Sequence, residues 1–320
     1  MSFDIIPFAG GEALLDWRGL TEALEAGHAL PRATLDDTFL YRGKDTLLSR
    51  SAWIDGLGIA VKSATIFPGN KGSEVPTING GVNLYSDADG SLEALVDFHL
   101  VTKWKTAGDS LLAALKLARP DSKRILILGA GTVAHSLRQA YGAAFPQAQF
   151  TVWNRSPAGA ETLANAFDNT TVVSNLERTV GEADIISSAT MSTEPLLRGA
   201  WLQPGQHVDL IGAYRPDMRE ADDEALRCAR LFVDSRDTVL DHIGEFRTPL
   251  AEGVISRDDV VADFYDLPSG NFTRRNDDEI TLFKNGGGGH LDLMTSRYIL
   301  QQWRRQGGGD VRGAAQGAGA

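Results

Sequence analysis

The sequence has a single cysteine, Cys228, among 320 residues. One cysteine cannot form an intramolecular disulfide or a cysteine-based zinc cluster, so a reducing cytoplasm is the simplest compartment. Apolar runs of membrane-spanning length are missing, and the first residues lack both a basic stretch and a long apolar core. We therefore expect neither a transmembrane helix nor a signal peptide.

Positive charge is also scarce, because 31 lysines and arginines stand against 42 aspartates and glutamates, for a formal net charge of −11. This balance disfavours nucleic-acid binding as the main function, since phosphates require a basic face, although it permits a local basic pocket. No His, Cys and Asp cluster has the spacing of metal ligands, so no metal is expected. The length accommodates two domains, each with its own core.

The most informative stretch begins at residue 124, where a short apolar run leads directly into glycines. The run Ile125–Leu128 is typical of a strand buried in a parallel sheet. Three small residues follow it in the spacing G-x-G-x-x-A: Gly129, Gly131 and Ala134. In a dinucleotide site this spacing provides a tight turn, a close backbone approach to the pyrophosphate, and close packing of the next helix. Two further residues open that helix and face the phosphates with their N–H groups: Thr132 and Val133.

A second strand is predicted at residues 149–153, and the three residues after it bear on the choice of cofactor. Sites for NAD usually carry an acidic residue here for the ribose 2′-hydroxyl. This chain has Asn154, Arg155 and Ser156 instead. A guanidinium suits a 2′-phosphate that a carboxylate would repel, so NADPH is favoured over NADH. The alternative is that Arg155 is an ordinary solvated loop residue.

From residue 158 onward, helical and extended segments alternate as in a doubly wound parallel sheet. We expect 231–233 to be the last clear strand and 282–290, with its four glycines, to be irregular. Two strand ends should lie at the carboxyl edge of the sheet, where the ligand crevice forms, and they supply further cofactor candidates: Thr190, Met191, Gly212 and Ala213. The predicted fold is α/β. Residues 119–291 form a Rossmann domain, 1–118 with 292–305 form an α/β substrate-binding and dimerisation domain, and 306–320 form a disordered tail.

Several charged residues are candidates for substrate chemistry. Lys62 ends an apolar strand-like segment, a position from which a lysine either lines a cavity or is solvated. Lys105 and Asp109 stand four apart on a predicted helix over 100–117, and the simplest interpretation is a surface ion pair. His290 could orient the nicotinamide or the substrate, or be a loop histidine paired with Asp292 or solvent.

Ordered motifs along nearly the whole chain resemble the ornithine cyclodeaminase/μ-crystallin family. They are residues 30–32 (LPR), 58–62 (GIAVK), Thr77, the turn 87–90 (DADG), 105–107 (KTA), 115–120 (LKLARP), 127–131 (ILGAG), 153–155 (WNR), 193–195 (TEP) and 212–220 (GAYRPDMRE). The resemblance implies a dimer of two-domain subunits that bind a small amino or imino acid. It further implies that Arg32 and Lys62 hold the substrate carboxylate and that Thr77 helps to line the pocket. Paired cationic donors are suited to a carboxylate.

Two departures from the family pattern narrow the activity. The family usually has arginine at the position of Lys105, and Asp109 replaces a small or hydroxyl residue. The cyclodeaminases carry an aspartate where this chain has Tyr214. Because a phenol keeps its proton near neutral pH, it cannot replace an ionised carboxylate as a base, and ornithine cyclodeamination is disfavoured.

Within the family, residues 105–110 (KTAGDS) and 285–292 (NGGGGHLD) resemble bacterial Δ1-pyrroline-2-carboxylate reductases of hydroxyproline and proline metabolism. The resemblance implies NADPH-dependent reduction of this cyclic imine to L-proline, with the six-membered Δ1-piperideine-2-carboxylate as a second substrate. Either Asp109 could stabilise the iminium or Lys62 could donate the proton, and the sequence leaves both open. The alternatives are an amino-acid dehydrogenase acting on alanine, an ornithine cyclodeaminase, and a non-catalytic NADPH-binding protein like the crystallins.

Overall fold

The computed structural model describes residues 3–307, and the chain separates into two compact units. Unit 1 contains the chain up to Ala23, Leu30–Thr102 and the segment that starts at Gly289. Unit 2 contains Leu24–Ala29 and Lys103–Gly288. The long helix Phe98–Leu117 is thus divided at Lys103, whereas the sequence suggested a boundary after it, at residue 118. Of the predicted tail, residues 308–320 lie outside the described part of the chain.

Unit 1 is built on a six-stranded sheet with a helix along one face. Its elements are β1 Asp4–Ile6, α1 Phe8–Glu12, most of α2 Trp17–His28, β2 Thr34–Arg42, β3 Asp45–Ile54, β4 Gly58–Ile66, β5 Ile78–Tyr85, β6 Leu92–Asp97, the start of α3 Phe98–Leu117, and α10 Gly289–Arg305. The strand order is β1-β6-β5-β4-β3-β2, in which β1 is parallel to β6 and the other pairs are antiparallel.

The sheet of unit 1 buries one face against α10 because alternate residues along each strand point the same way. Ala60, Lys62 and Ala64 of β4 are buried, while the residues between them are partly exposed. Helix α10 lies so close that a side chain at Gly289 would come within 3.1 Å of Arg50 on β3. Lys62 is therefore on the covered face, and its charge requires a partner there.

Unit 2 is an eight-stranded, all-parallel sheet with helical connections. Its elements are β7 Arg124–Leu128, α4 Thr132–Ala144, β8 Gln149–Trp153, α5 Pro157–Asn165, β9 Thr170–Val172, α6 Leu176–Glu182, β10 Ile185–Ser188, β11 His207–Leu210, α7 Asp223–Cys228, β12 Arg230–Val233, α8 Arg236–Val239, α9 Gly244–Ala251, β13 Val260–Ala262 and β14 Thr281–Lys284. The order is β13-β12-β14-β11-β10-β7-β8-β9. The predicted fold class, a doubly wound α/β Rossmann unit with a second α/β unit, is confirmed.

Two predictions about the end of this unit were wrong. Two strands, β13 and β14, follow Leu231–Val233, and β14 is an interior strand between β11 and β12. All four residues of β14 are buried. Four residues carry too weak a pattern to mark a strand beside a glycine run, and only pairing on both edges makes them regular. His290 is likewise no loop residue, because α10 begins at Gly289 and buries it.

Within residues 3–307, no helix is long and apolar enough to cross a membrane. The cytoplasmic location stays a prediction.

Candidate active site

The turn after β7 has the conformation that the glycine spacing predicted. Gly129 adopts a φ of 101°, and a side chain there would lie 2.7 Å from the Ala189 carbonyl oxygen. Its N–H donates to the Trp153 carbonyl oxygen at 2.9 Å. Only glycine fits both the backbone conformation and the space, so this turn holds the ends of β7, β8 and β10 together.

The next glycine, Gly131, serves a different purpose. It caps the N-terminus of α4 with extended backbone (φ −84°, ψ −173°), and a side chain there would meet no described atom within 4 Å. No side chain caps this end of α4, so the first N–H groups of Thr132, Val133 and Ala134 point out of the helix unbonded within it. An open cradle at a helix N-terminus fits a dinucleotide pyrophosphate.

These residues form one wall of a crevice of about 360 Å³. The crevice is lined by Gly129, Ala130, Gly131, Trp153, Asn154, Arg155, Ala189, Thr190, Met191, Ser192 and Leu196. It brings together six of the twelve predicted cofactor residues on the carboxyl edge of the sheet, where parallel α/β sheets bind ligands. The other six do not line it: Thr132, Val133, Ala134, Ser156, Gly212 and Ala213. A larger cleft of about 740 Å³ opens at the amino ends of β12 and β14, and none of the predicted site residues line it.

The residues after β8 leave a guanidinium available at the crevice. Asn154 donates to the Ser156 carbonyl oxygen at 2.8 Å and so closes the turn that leads into α5. Arg155 is exposed and forms no ion pair within the described part of the chain. Ser156 is the N-cap residue of α5, and its side chain does not bond to the helix. None of the residues 154–156 in the turn after β8 is acidic.

The turn after β10 and the turn after β11 are joined by the buried carboxylate of Glu220. Glu220 Oε1 accepts hydrogen bonds from the Ser188 hydroxyl at 2.6 Å and from Thr190 N–H at 2.9 Å. Its Oε2 accepts from Gly212 N–H at 2.6 Å and from Ala213 N–H at 2.9 Å. Thr190 and Gly212 are in such close contact that a side chain at Gly212 would overlap the Thr190 backbone at 2.0 Å.

Lys105 and Asp109, both on α3, lie at another part of the carboxyl edge of the unit 2 sheet. Both are buried, Asp109 completely, so the interpretation as a surface ion pair was wrong. Helix packing buries them where sequence spacing alone predicts a solvated face. Helix α3 is fixed to the end of β14 by the Asn285 amide, which donates to the Thr106 carbonyl and Ser110 hydroxyl oxygens at 3.1 Å each.

The surroundings of Asp109 favour its protonated form. Neither carboxyl oxygen has a hydrogen-bond partner among residues 3–307. Burial raises the pKa of Asp109 well above its ordinary value, and the nearby Asp234 and Asp209 carboxylates raise it further, against the effects of Lys105 and Lys284. Three carboxyl groups and two ammonium groups are therefore buried together, and Asp109 keeps its proton far above the usual range for an aspartate.

The other two carboxyls are hydrogen-bonded and hold parts of the backbone. Asp234 accepts from the N–H groups of Gly286 and Gly287, at 3.0 and 2.6 Å, and so fixes the glycine segment after β14. Asp209 accepts from the hydroxyls of Ser110, Ser187 and Tyr141. Burial raises the pKa of Asp209 to about 6 despite these three donors.

In unit 1, the candidate cation Lys62 is held on the covered face of the sheet. Its Nζ donates to Asp292 Oδ1 and to the Thr102 hydroxyl, at 3.0 Å each, and lies 4.6 Å from the centre of the Phe98 ring. Asp292 is in the first turn of α10 and forms this buried ion pair. Arg50 stands opposite Lys62 on β3 and binds Asp37 through two nitrogens.

The remaining predicted substrate residues of unit 1 lie elsewhere on the sheet. Arg32 is exposed in the segment before β2. Thr77 precedes Ile78, which pairs with Ile66, so it lies four or more residues along the strands from Lys62, roughly 13 Å or more. The structure does not bring Thr77 and Lys62 into contact, and the roles of Arg32 and Thr77 stay predictions.

No role in the site was predicted from the sequence for Glu220, Asp234 or the Arg50–Asp37 pair. Glu220 was visible only as the last residue of the 212–220 motif, and nothing local marks it as an acceptor for two separate turns. Its partners come from two strand ends that precede it by up to 32 positions.

The fold and the glycine crevice define a dinucleotide-binding oxidoreductase. The model of the ornithine cyclodeaminase/mu-crystallin family matches residues 54–307. Among curated proteins, the chain is 51% identical to a Δ(1)-pyrroline-2-carboxylate reductase of Paracoccus denitrificans, over 90% of this chain and 93% of that one. The chain belongs to the ornithine cyclodeaminase/mu-crystallin family, as its motifs predicted, and the predicted enzyme class, an NAD(P)H-dependent oxidoreductase, is confirmed.

Solved structures give the same result at the level of the fold. The structure of Thermococcus litoralis Δ(1)-pyrroline-2-carboxylate reductase with NADH and L-proline has a TM-score of 0.87 at 26% identity, covering 95% of this chain and 98% of that one. An archaeal alanine dehydrogenase dimer with bound NAD has a TM-score of 0.86 at 24% identity, covering 96% and 98%. Both of those proteins are named with a bound nicotinamide cofactor, and their likeness to this chain shows a shared fold along nearly its whole length.

We predict that Gly131→Ala and Gly129→Ala have different effects. Alanine at 131 fits the backbone and meets no neighbour, so the melting temperature of the cofactor-free protein should stay within about 2 °C, whereas the added methyl group should raise the Kd for the cofactor at least tenfold. Alanine at 129 should destabilise the protein by about 1–3 kcal/mol because of its backbone strain. Differential scanning fluorimetry and calorimetric titration measure both quantities. Normal cofactor affinity in Gly131→Ala would contradict the assigned crevice.

Proposed function

We propose that the protein reduces Δ1-pyrroline-2-carboxylate to L-proline with NADPH, and that it also accepts the six-membered Δ1-piperideine-2-carboxylate. The observation that carries this proposal is Asp109, a buried carboxyl at the carboxyl edge of the sheet whose surroundings keep it protonated. An imine must gain a proton on nitrogen before it accepts hydride at carbon. The 51% identity to a reductase named for this substrate supports the same reaction.

NADPH is the proposed cofactor because Arg155 supplies a guanidinium beside the crevice and the turn has no carboxylate. A 2′-phosphate would accept hydrogen bonds from this guanidinium and from the first N–H groups of α5. Thr132, Val133 and Ala134 would hold the pyrophosphate, while Thr190, Met191, Gly212 and Ala213 would contact the other half of the cofactor. When bound, the reduced nicotinamide supplies the hydride.

Asp109 is the proposed proton donor. Its O–H proton goes to the imine nitrogen, which leaves an aspartate and an iminium; hydride addition at C2 then gives the amine. Asp109 is ionised once it has given up its proton. Lys105 stabilises this ionised form, whereas the two neighbouring carboxylates destabilise it, so Asp109 regains a proton after turnover. Tyr214, 58% exposed after β11, stands where the cyclodeaminases carry an aspartate, so this position supplies no carboxylate for a cyclodeaminase reaction.

Lys62 and Arg32 are the proposed ligands of the substrate carboxylate, and Thr77, Lys105 and His290 are further residues proposed to bind the substrate. Lys62 is well suited because Asp292 and Thr102 fix its ammonium group in place. A cation held in advance of binding loses little conformational entropy when the substrate arrives.

The deciding experiment follows NADPH oxidation by absorbance with Δ1-pyrroline-2-carboxylate, beside reactions with NADH, Δ1-piperideine-2-carboxylate, and pyruvate plus ammonia. Turnover of the five-membered imine with NADPH is the expected result. Turnover of pyruvate plus ammonia alone would instead identify an amino-acid dehydrogenase. Tight NADPH binding without turnover of any substrate would identify a binding protein.

We predict that Arg155→Ala lowers kcat/KM with NADPH about 10- to 100-fold, because a charged hydrogen bond to phosphate contributes about 1.5–3 kcal/mol. Activity with NADH should change less than about threefold. Steady-state kinetics with both cofactors measure this, and Arg178→Ala, which removes an exposed arginine paired with Glu182, is the matched control. Equal losses with both cofactors would contradict binding of a 2′-phosphate by Arg155.

We predict that Asp109→Asn lowers kcat about 100-fold or more, since an amide cannot donate the proton that general acid catalysis requires. Asparagine is nearly isosteric with a protonated aspartate, so the fold should persist. In the unmodified protein kcat should fall as the pH rises through the raised pKa of Asp109, and this decline should disappear in the variant. The matched control is Asp121→Asn, which alters an exposed aspartate. Full activity of Asp109→Asn would remove Asp109 from the mechanism.

We also propose that a second copy of the chain covers the outer face of the unit 1 sheet. The face away from α10 exposes five large apolar side chains: Ile5, Leu40, Leu47, Trp53 and Leu95. Every residue of β2 is also exposed. An apolar face of this kind is typical of subunit interfaces, and the alanine dehydrogenase with a similar fold is a dimer.

Leu40→Glu should therefore shift the mass in solution from dimer toward monomer, because a carboxylate would be buried at the interface. Leu40 is 63% exposed in the single chain, so the substitution should leave the fold intact. Light scattering coupled to size-exclusion chromatography measures the mass, and Val172→Glu in unit 2 is the control. A monomeric unmodified protein would refute the proposed dimer.

A further inference from the structure

Glu220 is the most highly connected side chain at the carboxyl edge of unit 2, yet it does not line the crevice. Its carboxylate is completely buried and accepts five hydrogen bonds, from Ser188, Thr190 (N–H and hydroxyl), Gly212 and Ala213. The backbone carbonyl of Glu220 also accepts from the N–H groups of Leu196 and Leu197, both at 2.9 Å. Glu220 therefore fixes the turn after β10, the turn after β11 and the backbone at Leu196 and Leu197.

The groups that Glu220 holds are the ones that the cofactor would meet. Thr190 and Leu196 line the crevice, and Gly212 packs directly on the Thr190 backbone. Without Glu220, the N–H groups of Thr190 and Ala213 would lose their acceptor, and Gly212 N–H would keep only the Ser188 carbonyl oxygen, at 3.2 Å. Because buried unpaired donors are costly, the two turns would rearrange. A single carboxylate shared by two turns also sets the spacing between them.

A second buried carboxylate fixes Glu220 itself. Glu245 Oε2 accepts from Glu220 N–H at 2.7 Å, and its Oε1 accepts from Ala221 N–H at 3.0 Å. Burial, together with the charge of Glu220, raises the pKa of Glu245 to about 7. Two acidic residues this close would not be buried for stability alone, since their charges repel.

We propose that Glu220 is a positioning residue of the cofactor site: its carboxylate preforms the two adjoining turns, at Thr190 and at Gly212–Ala213, against which the nicotinamide half of the cofactor binds. This inference rests on the proposed placement of the cofactor. The expected consequence is weaker cofactor binding when the carboxylate is changed, although Glu220 does not touch the cofactor.

The test is calorimetric titration of the full-length protein with NADPH. Glu220→Gln should raise the Kd at least tenfold, because the new NH2 group must face the N–H of one turn, donor against donor. The KM for the imine should stay within twofold. The matched control is Asp184→Asn, since Asp184 also holds backbone N–H groups, of Lys123 and Arg124 at 2.9 Å each, but at the amino ends of β7 and β10. It should lower the melting temperature and leave the Kd within twofold.

Unchanged affinity in Glu220→Gln, or an equal loss of affinity in Asp184→Asn, would overturn the positioning role. Should Glu220→Gln fail to fold, Ser188→Ala replaces it, because it removes only the Ser188 hydroxyl, which donates to Glu220, and leaves the Ser188 backbone in place. A two- to fivefold rise in Kd is expected, and an unchanged Kd would overturn the proposal. An unmodified protein that binds neither NADPH nor NADH would refute the proposed cofactor site, and the positioning role with it. Affinity for the cofactor in the unmodified protein therefore separates the two proposals.

Discussion

The arrangement of unit 2 depends on carboxylates that accept backbone N–H groups where parallel strands end. A parallel sheet leaves the turns beyond its strands without ladder partners, and buried N–H groups need an acceptor. Asp184 satisfies this need at the amino edge, while Glu220 and Asp234 satisfy it at the carboxyl edge. The glycines at 129 and 212 allow these turns to come into contact. Together they make a rigid edge on which a flat, charged cofactor can be held.

Because carboxylates hold these turns, several acidic side chains are buried close to one another, and this changes their ionisation. Each carboxylate that holds a turn makes it harder for the next one to ionise. Lys284, completely buried, offsets part of this charge and is held by the carbonyl oxygens of Leu210 and Asn285. Asp109 lacks hydrogen-bond donors in the described part of the chain and is therefore the group that retains a proton. The proposed proton donor thus owes its raised pKa to burial and to the charges of neighbouring structural residues.

In unit 1 the buried charge is positive, because Lys62 lies on the apolar, covered face of the sheet. Lys62 continues the buried alternation of β4 between two alanines, and Asp292 pairs with its charge. Arg50 and Asp37 repeat the pattern one strand away, and the charge of Asp292 also acts on Arg50. Apolar side chains would pack on this face at lower cost, and the proposed role of Lys62 in binding the substrate carboxylate would account for the charge.

The prediction from sequence was correct where the determinants are local. The glycine spacing after β7, the alternation of helix and strand, and the family motifs each lie within a few residues, so the Rossmann unit and the family were predictable. It failed for β14, whose four residues become a strand only through pairing with β11 and β12. It also failed for Lys105 and Asp109, because a spacing of four fixes a shared helix face and leaves open what covers that face.

What only the tertiary structure decided is which polar groups meet. Lys62 and Asp292 are 230 positions apart, and Glu220 collects donors from two separate strand ends. Burial then sets the ionisation of Asp109, since a pKa depends on the charges and solvent around a group and not on its neighbours in the chain. The sequence alone determined the class of fold and the family, because backbone conformation and periodicity are local; the chemistry of the site was determined by contacts that form only on folding.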